Sequence, residues 1–473
     1  MLHKRLPMTR INLWIAIVFL LMSAACAKQE SQFASEASPD FVTDVPLLEE
    51  RMLSADFWIR RLARDDVRLT GEEIAAMNAA SFERDPNLYD LDQFPDIMPR
   101  EQVLALIDGV SRPAASPRFF TDGRPVTEET YARLEAAVQR SALPEQVPLR
   151  WGLAVRRASM RSYPTTERVL KNPDDRDLDR FQETGVFPGH RLALLHESAD
   201  GKWWFAVNYH YAAWLPKSAV AEGSREQITA WEQRAPRLTV TGAQVRTNFN
   251  PEEPRTSEIL LDMGVSLPLL SAREVGHNVH GQNPHASYIV SLPVREEDGS
   301  LAFEPTLIAR SRDVTVGHLD YRPSLVLRQA FKFLGERYGW GHDYNGRDCT
   351  GFVGEVYQTF GILMPRNSGD QGKSDFAPTR RFAEGDDSER REALEDLSVG
   401  DLIYIPGHVM MYIGRVNGEP YVIHDVTGLS YYSSDESLYK GTLSGVSVTP
   451  LMPLRLASGK RYVDSIYAIK SIF

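Results

Sequence analysis

The stretch that decides the fold is YGWGHDYNGRDCTGFVGEVYQTFGILMPRNS, at residues 338–368. Within it, Cys349, Val353 and Val356 recur at intervals of three and four residues, which is the spacing of one apolar helix face. The pattern predicts a helix of about three turns that has Asp348 as its N-cap and Cys349 in its first turn. Unpaired backbone N–H groups at that place favour a thiolate, so we expect a lowered thiol pKa and a nucleophilic sulfur, although the charge of Asp348 would oppose part of that lowering.

Cysteine usage makes this position unusual. The chain has two cysteines, and Cys26 lies at the end of an N-terminal apolar run, so Cys349 has no disulfide partner. A free cysteine can equally be a small buried hydrophobe. Gly339, Gly341 and Gly346 favour the reactive alternative, because they let the preceding loop approach the helix start closely, which a structural cysteine would not need.

A thiol nucleophile usually works with a histidine base. Two histidines follow Cys349 in the chain. His408 opens a strand after the Pro-Gly turn in GDLIYIPGHVMMYIG, and His424 ends the next apolar run, YVIHD. Either could simply occupy a strand end, but with the thiol upstream we favour His408 as the base and His424 as the group that orients it.

Length and charge limit the function classes. A chain of 473 residues predicts several independently packed units. Its formal net charge of -11 excludes a nucleic acid as the expected partner, because phosphate contacts need a surplus of Lys and Arg.

The start of the chain predicts export. Basic residues precede an apolar run that ends at Ala25, so we interpret residues 1–25 as a signal peptide. The sequence LMSAAC leaves two alternatives open, ordinary cleavage or lipidation of Cys26, so we expect a location in the periplasm or cell envelope, with a membrane-anchored lipoprotein as one form. Residues 26–45 are polar and Ser-rich and are expected to form a flexible tether.

The remaining chain divides into four predicted parts. Helical spacing and a capping box at Thr70 predict a helical N-terminal domain at residues 46–146. Short alternating runs between turn signals predict two small all-β barrels, at 147–223 and 236–313. Mixed helix and strand signals follow at 321–473. The predicted fold class is therefore multidomain, with a C-terminal α+β domain behind two barrels and a helical unit.

The segments YGWGHDYNGRDCTGF, GILMPRNSGDQ, LSVGDLIYIPGHVMMYIG and VIHD resemble, in this order, the NlpC-type papain-like cysteine peptidases of bacterial cell walls. The resemblance implies Cys349 as nucleophile, His408 as general base and His424 as the third polar residue. It also implies a fold in which bacterial SH3-like domains precede the peptidase.

Further implications of this resemblance concern the substrate. Tyr338 would lie near the oxyanion, and Asp348 and Thr350 would contact the substrate peptide. Thr350 replaces the serine usual in the family, and His342 replaces the second glycine of its Trp-Gly-Gly run, which would reshape the cleft.

The implied activity is cleavage of the bond between γ-D-glutamate and a diamino acid, diaminopimelate or Lys, in peptidoglycan stem peptides with a free N-terminal L-Ala. Tyr211 and Trp214 are candidates for the cleft wall contributed by the first barrel, or else for its core. Alternatives are an amidase or acyltransferase on the same fold, and a non-catalytic wall-binding protein. We expect a monomer that needs no metal or organic cofactor.

Overall fold

The computed structural model describes residues 41–175 and 177–472. The predicted signal peptide, Cys26 and most of the predicted tether lie outside the described residues. The described chain combines helices with several separate sheets, so the multidomain α+β prediction is confirmed. Within these ranges no helix is both long and apolar enough to cross a membrane.

Helices dominate the first hundred described residues. Four of them are α1 (Ala55–Ile59), α2 (Gly71–Arg84), α3 (Arg100–Val110) and α4 (Glu128–Val138). The predicted capping box is present at the start of α2, where the Glu73 N–H donates to Thr70 Oγ1 at 3.3 Å and the Thr70 N–H donates to Glu73 Oε2 at 2.8 Å. Single turns of 3₁₀-helix lie at Glu50–Leu53 and Arg140–Ala142.

Short strands also occur around this helical part. They are β1 (Ile97–Pro99), β2 (Phe119–Phe120) and β3 (Gln146–Pro148). β1 pairs with β3, which ties the end of the helical part to its middle.

A seven-stranded antiparallel sheet follows. Its strands are β4 (Arg150–Ala154), β5 (Ala158–Arg161), β7 (Gln182–Val186), β8 (Arg191–Glu197), β9 (Trp203–Val207), β10 (Ala212–Pro216) and β11 (Val220–Gly223). They are arranged in the order β11-β4-β8-β9-β10-β5-β7. The short strand β6 (Val169–Leu170) pairs instead with β2, and a 3₁₀ turn lies at Lys217–Ala219. This sheet occupies the region predicted for the first barrel.

Helix α5 (Arg225–Glu232) leads to a second all-β region. Its strands are β12 (Arg237–Val240), β13 (Gln244–Arg246), β14 (Leu260–Asp262), β15 (Ser266–Leu270), β16 (Ser287–Arg295), β17 (Leu301–Ala309) and β18 (Val314–Val316). Five of them form the sheet β17-β16-β15-β12-β18, and β13 pairs with β14. Helix α6 (Ala272–Val275) and 3₁₀ turns at Pro254–Thr256 and Pro284–Ala286 connect the strands.

The C-terminal part packs helices against a six-stranded sheet. The helices are α7 (Pro323–Phe331), α8 (Cys349–Gln358), α9 (Ser368–Lys373) and α10 (Asp387–Glu395), with 3₁₀ segments at Trp340–Asn345 and Val463–Ser465. The strands are β19 (Thr379–Arg381), β20 (Leu402–Ile405), β21 (His408–Val416), β22 (Glu419–Tyr432), β23 (Leu438–Pro450) and β24 (Ala468–Lys470), in the order β19-β24-β20-β21-β22-β23.

Helix α7 packs against the helix that carries Cys349. Leu327 and Ala330 of α7 are buried, and the helix ends at Phe331. In the turn that follows, Phe333 is 1% exposed, and its ring packs edge-on against Phe352 of α8. This aromatic contact seats the end of α7 on α8.

Helices α1 and α2 contribute to the C-terminal core, whereas α3 and α4 pack with the first all-β region. Trp58 of α1 is 1% exposed, donates its indole N–H to the Met52 carbonyl at 2.8 Å and packs on Tyr421 of β22 with ring centroids 5.3 Å apart. Gly414 of β21 leaves the space that this ring needs, because a Cβ there would lie 3.0 Å from the indole. The indole thus anchors the helical part to the sheet.

Replacing Trp58 by Ala should destabilise the protein by about 3–5 kcal/mol, the usual cost of emptying a buried tryptophan site. Urea unfolding followed by circular dichroism measures this. As a matched aromatic truncation at the surface, Phe249→Ala removes a side chain that is 68% exposed and should change stability by less than about 0.5 kcal/mol. Equal effects of the two substitutions would contradict the anchoring role.

Candidate active site

Helix α8 begins where the sequence predicts. Asp348 is the N-cap, and its Oδ1 accepts the Gly351 N–H at 2.8 Å. Cys349 is the first helical residue and is 7% exposed, so only an edge of its side chain reaches the surface. The backbone N–H of Val409, the second residue of β21, donates to its sulfur. The thiol is therefore held between the start of α8 and the start of β21.

The expected lowering of the thiol pKa is wrong for this state of the protein. Burial, together with the carboxylate of Asp348 beside it, raises the pKa of Cys349 to about 12, and the hydrogen bond from Val409 offsets this only in part. Desolvation of the charged form outweighs the pull of the helix terminus. The Cys349 side chain is therefore a neutral thiol in this state.

His408 and His424 form a hydrogen-bonded pair, with His408 Nε2 and His424 Nδ1 2.8 Å apart. His408 opens β21 as predicted. The prediction that the run ends at His424 is wrong, since β22 continues to Tyr432. On the far side of His424, its Nε2 lies 2.9 Å from Thr449 Oγ1, a partner on β23 that sequence patterns gave no reason to select.

Both imidazoles are neutral at physiological pH. Burial lowers the pKa of His408 to about 4, and burial together with the neighbouring His408 lowers the pKa of His424 well below its usual value. A neutral imidazole is the form that can accept a proton. Among the described residues, no hydrogen bond joins the Cys349 sulfur to either imidazole ring. Such hydrogen bonds often tighten only when substrate is present. The catalytic roles of these three residues stay predictions.

Asp348 and Thr350, predicted to contact substrate, are both held by one cation. Arg366 donates to Asp348 Oδ2 at 2.7 Å and to Thr350 Oγ1 at 2.6 Å, and it also reaches Thr184 of the first sheet at 2.6 Å. Although burial opposes ionisation, this guanidinium holds the pKa of Asp348 well below its usual range. Asp348, the residue directly before Cys349, is thus a permanent carboxylate.

Tyr338 is 8% exposed and lies beside the same group of residues. Its backbone N–H donates to the Ser444 carbonyl of β23 at 2.9 Å. Burial, and then the proximity of Cys349, raises the pKa of its phenol far above the usual value. The phenol therefore keeps its proton and can donate a hydrogen bond at any working pH.

His342, the departure from the family motif, is buried at the boundary with the first sheet. Its Nδ1 accepts the Gly185 N–H at 3.3 Å, and its Nε2 lies 3.1 Å from Glu355 Oε1. Burial and the nearby Arg366 lower the pKa of this imidazole well below its usual value, so it is neutral and its Nε2–H donates to Glu355. His342 fills the space between the domains rather than the open cleft.

The two aromatic candidates of the first barrel differ. Trp214 is fully buried and donates its indole N–H to Ser111 Oγ at 3.0 Å, so it is a core residue. Tyr211 is half-buried and donates its hydroxyl to Glu183 at 2.5 Å. Burial raises the pKa of Glu183 to about 7 against the effect of that hydrogen bond. Sequence patterns did not point to Glu183, which comes near the site only through folding.

The loop before Cys349 is clamped from both all-β regions. Gln182 of β7 donates to the Gly341 carbonyl at 2.7 Å, and Arg157 donates to the Gly346 carbonyl at 3.0 Å. From the other side, the fully buried Arg347 pairs with Asp262 of β14 at 2.9 Å. Each contact fixes the backbone of the loop that leads to Cys349.

Glycine is required in this loop. A Cβ on Gly339 would collide with the Asp343 carbonyl oxygen. Gly341 has φ +57°, and a Cβ at this position would lie 2.9 Å from the Glu183 carbonyl oxygen. The close approach predicted from the glycines is therefore present. Across the described ranges, no cluster of three or more His, Cys, Asp and Glu side chains is arranged to hold a metal ion.

Comparison with known proteins finds a family match for two parts of the chain. Residues 335–448 match the NlpC/P60 family, and residues 168–216 match the SH3 domain of the SH3b1 type. A solved NlpC/P60 endopeptidase from Photobacterium damselae subsp. piscicida superimposes with a TM-score of 0.70 at 17% identity, covering 88% of this chain and 96% of that one. This similarity shows a shared fold.

Two curated relatives carry the name gamma-D-glutamyl-L-lysine dipeptidyl-peptidase. The protein from Bacillus cereus is 26% identical over 254 residues, 50% of this chain and 66% of the relative. The one from Bacillus subtilis is 26% identical over 142 residues, 27% of this chain and 43% of the relative. The chain thus spans less than two thirds of either relative. It carries an NlpC/P60 domain, with Cys349 at the start of its helix α8, behind an SH3 domain of the SH3b1 type.

Proposed function

We propose that the protein is a peptidoglycan hydrolase, a cysteine endopeptidase that cleaves the bond between γ-D-glutamate and a diamino acid in cell-wall stem peptides. The observation that carries this proposal is the placement of Cys349 at the first turn of α8, against the start of the strand that begins with His408. The names of the two Bacillus relatives support the choice of this bond as the one that is cleaved. The N-terminal apolar run supports export to the cell envelope, where this substrate is found.

The order of the hydrogen bonds determines how His408 acts. To take a proton from the thiol, its Nδ1 must be free, so its Nε2–H donates to His424 Nδ1. His424 then carries its own proton on Nε2 and donates it to Thr449 Oγ1. In this arrangement His424 orients His408 with its Nδ1 free, as the third member of a catalytic triad does, and Thr449 holds His424 in turn.

The reaction begins from a neutral pair. Attack of the sulfur on the γ-glutamyl carbonyl forms the S–C bond while the thiol proton moves to His408 Nδ1. The carbonyl oxygen becomes an oxyanion that the Cys349 N–H, unpaired at the helix start, and the Tyr338 hydroxyl can stabilise. The imidazolium then protonates the leaving amine. Water, deprotonated by the same ring, cleaves the thioester and regenerates the thiol.

Substrate selection is proposed to involve the first barrel. Glu183 and Asp348 are two carboxyl groups that both face Arg366 at the junction of β7 and α8. The ammonium of a free N-terminal L-Ala complements this pair, and its arrival would favour the ionised form of Glu183. Tyr211, bonded to the same carboxyl group, fixes its orientation. A peptide whose N-terminal amine is substituted would lose its positive charge, and the substituent would collide with the first barrel.

Incubation of the full chain with L-Ala-γ-D-Glu-diaminopimelate should release the dipeptide L-Ala-γ-D-Glu, detected by mass spectrometry. Cys349→Ala should lower the rate at least about a thousandfold, because no other group can form the thioester. Cys26→Ser, which removes the other cysteine, should keep the activity. Equal cleavage by wild type and Cys349→Ala would refute the mechanism, and release of a different product would refute the bond.

Glu183→Gln should raise KM about 10- to 100-fold for the free tripeptide, the range expected for losing a charged hydrogen bond. Its kcat should change little, and the slow cleavage of an N-acetylated tripeptide should be unaffected. Steady-state kinetics on both substrates measures this. Glu197→Gln, on the same sheet but paired with Arg150 and Lys217, is the control. A KM that rises equally for both substrates would show that Glu183 does not read the amine.

The buried neutral histidines predict acid sensitivity of the fold. Since the pKa of His190 is lowered by burial to about 4, against about 6.5 in the unfolded chain, the unfolded state binds the proton first on acidification. Stability is therefore complete above about pH 6.5 and falls as the pH drops towards 4, by about 1.4 kcal/mol per unit of pKa difference.

Urea unfolding between pH 4 and 8 tests this behaviour. His190→Gln should flatten the loss of stability, because neither ring nitrogen of His190 has a partner to lose. His285→Gln, at an exposed histidine, should leave the profile as in wild type. A His190→Gln profile that matches wild type would contradict the assignment.

A further inference from the structure

One cation beside the candidate active site has no acid partner. Arg180 lies in the turn before β7, is half-buried, and donates its backbone N–H to the Val169 carbonyl of β6 at 2.7 Å. Within residues 41–175 and 177–472, no hydrogen bond or ion pair engages its guanidinium. Its Nε is buried, whereas its two terminal nitrogens are not. The end of this side chain is therefore open to a ligand.

A stacking contact fixes where this guanidinium lies. Its central carbon is 4.9 Å from the centre of the Trp340 ring. The Trp340 indole N–H in turn donates to the Gln182 carbonyl of β7 at 3.0 Å. Trp340 follows Tyr338 by two residues, in the loop that leads to Cys349. The cation–π contact therefore holds the unpaired charge of Arg180 against this loop.

Two neighbouring arginines are already engaged by acids. Arg337 is paired with Asp177 at 2.7 Å, and Arg168 is paired with Asp343 at 2.5 Å. Each pair joins the first all-β region to the segment that leads into α8. These two guanidinium groups thus have structural partners, whereas that of Arg180 remains for a ligand.

The surroundings of Arg180 leave its charge incompletely compensated. Burial lowers the pKa of the guanidinium, Asp175 opposes this lowering, and Arg118 adds to it. An arginine nonetheless stays charged at any working pH. A carboxylate brought by a ligand would supply the missing partner, since a guanidinium can bind a carboxylate through two parallel hydrogen bonds.

The contacts of β7 separate Arg180 from the proposed amine site. At the start of this strand, Gln182 contacts Trp340. Glu183, which is proposed to bind the amine, faces Arg366. Arg180 precedes the strand and lies on the Trp340 side. A peptide whose amine is bound at Glu183 therefore has Arg180 available at its other end.

The scissile bond lies between these two ends. Tyr338 interacts through charge with Arg180 and also with Cys349. With the L-Ala ammonium at Glu183 and the γ-glutamyl carbonyl at Cys349, the diamino acid continues past Tyr338 towards Arg180. The side chain of Lys ends in an ammonium alone, whereas that of diaminopimelate also ends in a carboxylate.

We propose that Arg180 binds the side-chain carboxylate of diaminopimelate and thereby makes the protein select stem peptides with this residue over those with Lys. This inference rests on the proposed function and specifies its substrate. A Lys side chain would bring a second cation to an arginine that already lacks a partner. Arg180 takes no part in the attack by Cys349, so its loss should change substrate preference rather than the chemical step.

The cleavage of two tripeptides by the full chain tests this inference. L-Ala-γ-D-Glu-diaminopimelate and L-Ala-γ-D-Glu-L-Lys release the same dipeptide, which is quantified by mass spectrometry. Wild type should prefer the first peptide. Arg180→Gln should lower kcat/KM for the first peptide about 10- to 100-fold, mainly through KM, the range expected for losing a charged hydrogen bond. Its kcat/KM for the Lys peptide should not fall.

Further variants separate recognition of the carboxylate from a structural role. Arg180→Lys keeps the charge and should recover part of the loss. Arg150→Gln removes another guanidinium of the first all-β region that stacks on an indole, 4.6 Å from the centre of the Trp204 ring, but is paired with Glu197. This control should cleave both peptides as wild type does. A diaminopimelate peptide amidated at the side-chain carboxyl group should be cleaved by wild type no faster than the Lys peptide.

The outcomes distinguish this inference from the proposed function. An equal fall in kcat/KM for both peptides in Arg180→Gln, or an unchanged ratio between them, would overturn the role of Arg180, while cleavage by wild type would leave the proposed function standing. Release of the dipeptide from neither peptide by wild type would overturn the proposed function, and this inference with it.

Discussion

The buried ion pair between Arg366 and Asp348 is the interaction on which the active site depends. Asp348 caps helix α8, and its carboxylate also accepts the Gly341 N–H of the preceding loop at 3.0 Å. Arg366 adds the hydroxyl of Thr350 and, across the domain boundary, that of Thr184. Removing either charge would leave the other buried and unpaired, which typically costs several kcal/mol. One cation therefore holds the helix start, the loop and the first barrel together.

Burial of this ion pair also determines the protonation state of Cys349. A site closed enough to shield Arg366 and Asp348 leaves Cys349 only 7% exposed and places a permanent carboxylate beside it. The thiol and both histidines are consequently neutral. A thiolate–imidazolium pair at rest would need solvent or a nearby cation to stabilise the thiolate. In this site the nearby cation, Arg366, is paired with Asp348 instead. In the proposed mechanism the substrate completes the electrostatics, because its carbonyl oxygen takes up negative charge as the proton moves.

Local sequence predicted the elements of this site that depend on local structure. The helix that starts at Cys349, its Asp348 cap and the opening of a strand at His408 all follow from spacing and turn chemistry within a few residues. Thr449 and Glu183 could not be selected in this way, because each meets the site from a distant segment of the chain. No periodicity distinguishes the strand residue Thr449 from its neighbours until the register of β22 and β23 is known.

The direction of the thiol pKa was mispredicted for a related reason. The helix terminus is visible in sequence, whereas the depth of burial is a property of packing. Trp214 shows the same limit, since an aromatic residue in a barrel strand can face the cleft or the core, and here it faces the core.

The two all-β regions both contact the loop that leads to the candidate active site. Arg157 of the first reaches the His342 carbonyl at 2.9 Å and the loop beyond it, and Asp262 of the second meets the guanidinium of Arg347, the residue two before the nucleophile. Both contacts are nearly or fully buried, so they cannot be replaced by water without unpairing a charge. His342 fits the same scheme: where a glycine would leave a gap, its imidazole joins the Gly185 backbone to Glu355 of α8. A glycine at this position has no side chain with which to make either hydrogen bond, so it is the imidazole of His342 that links the first barrel directly to helix α8.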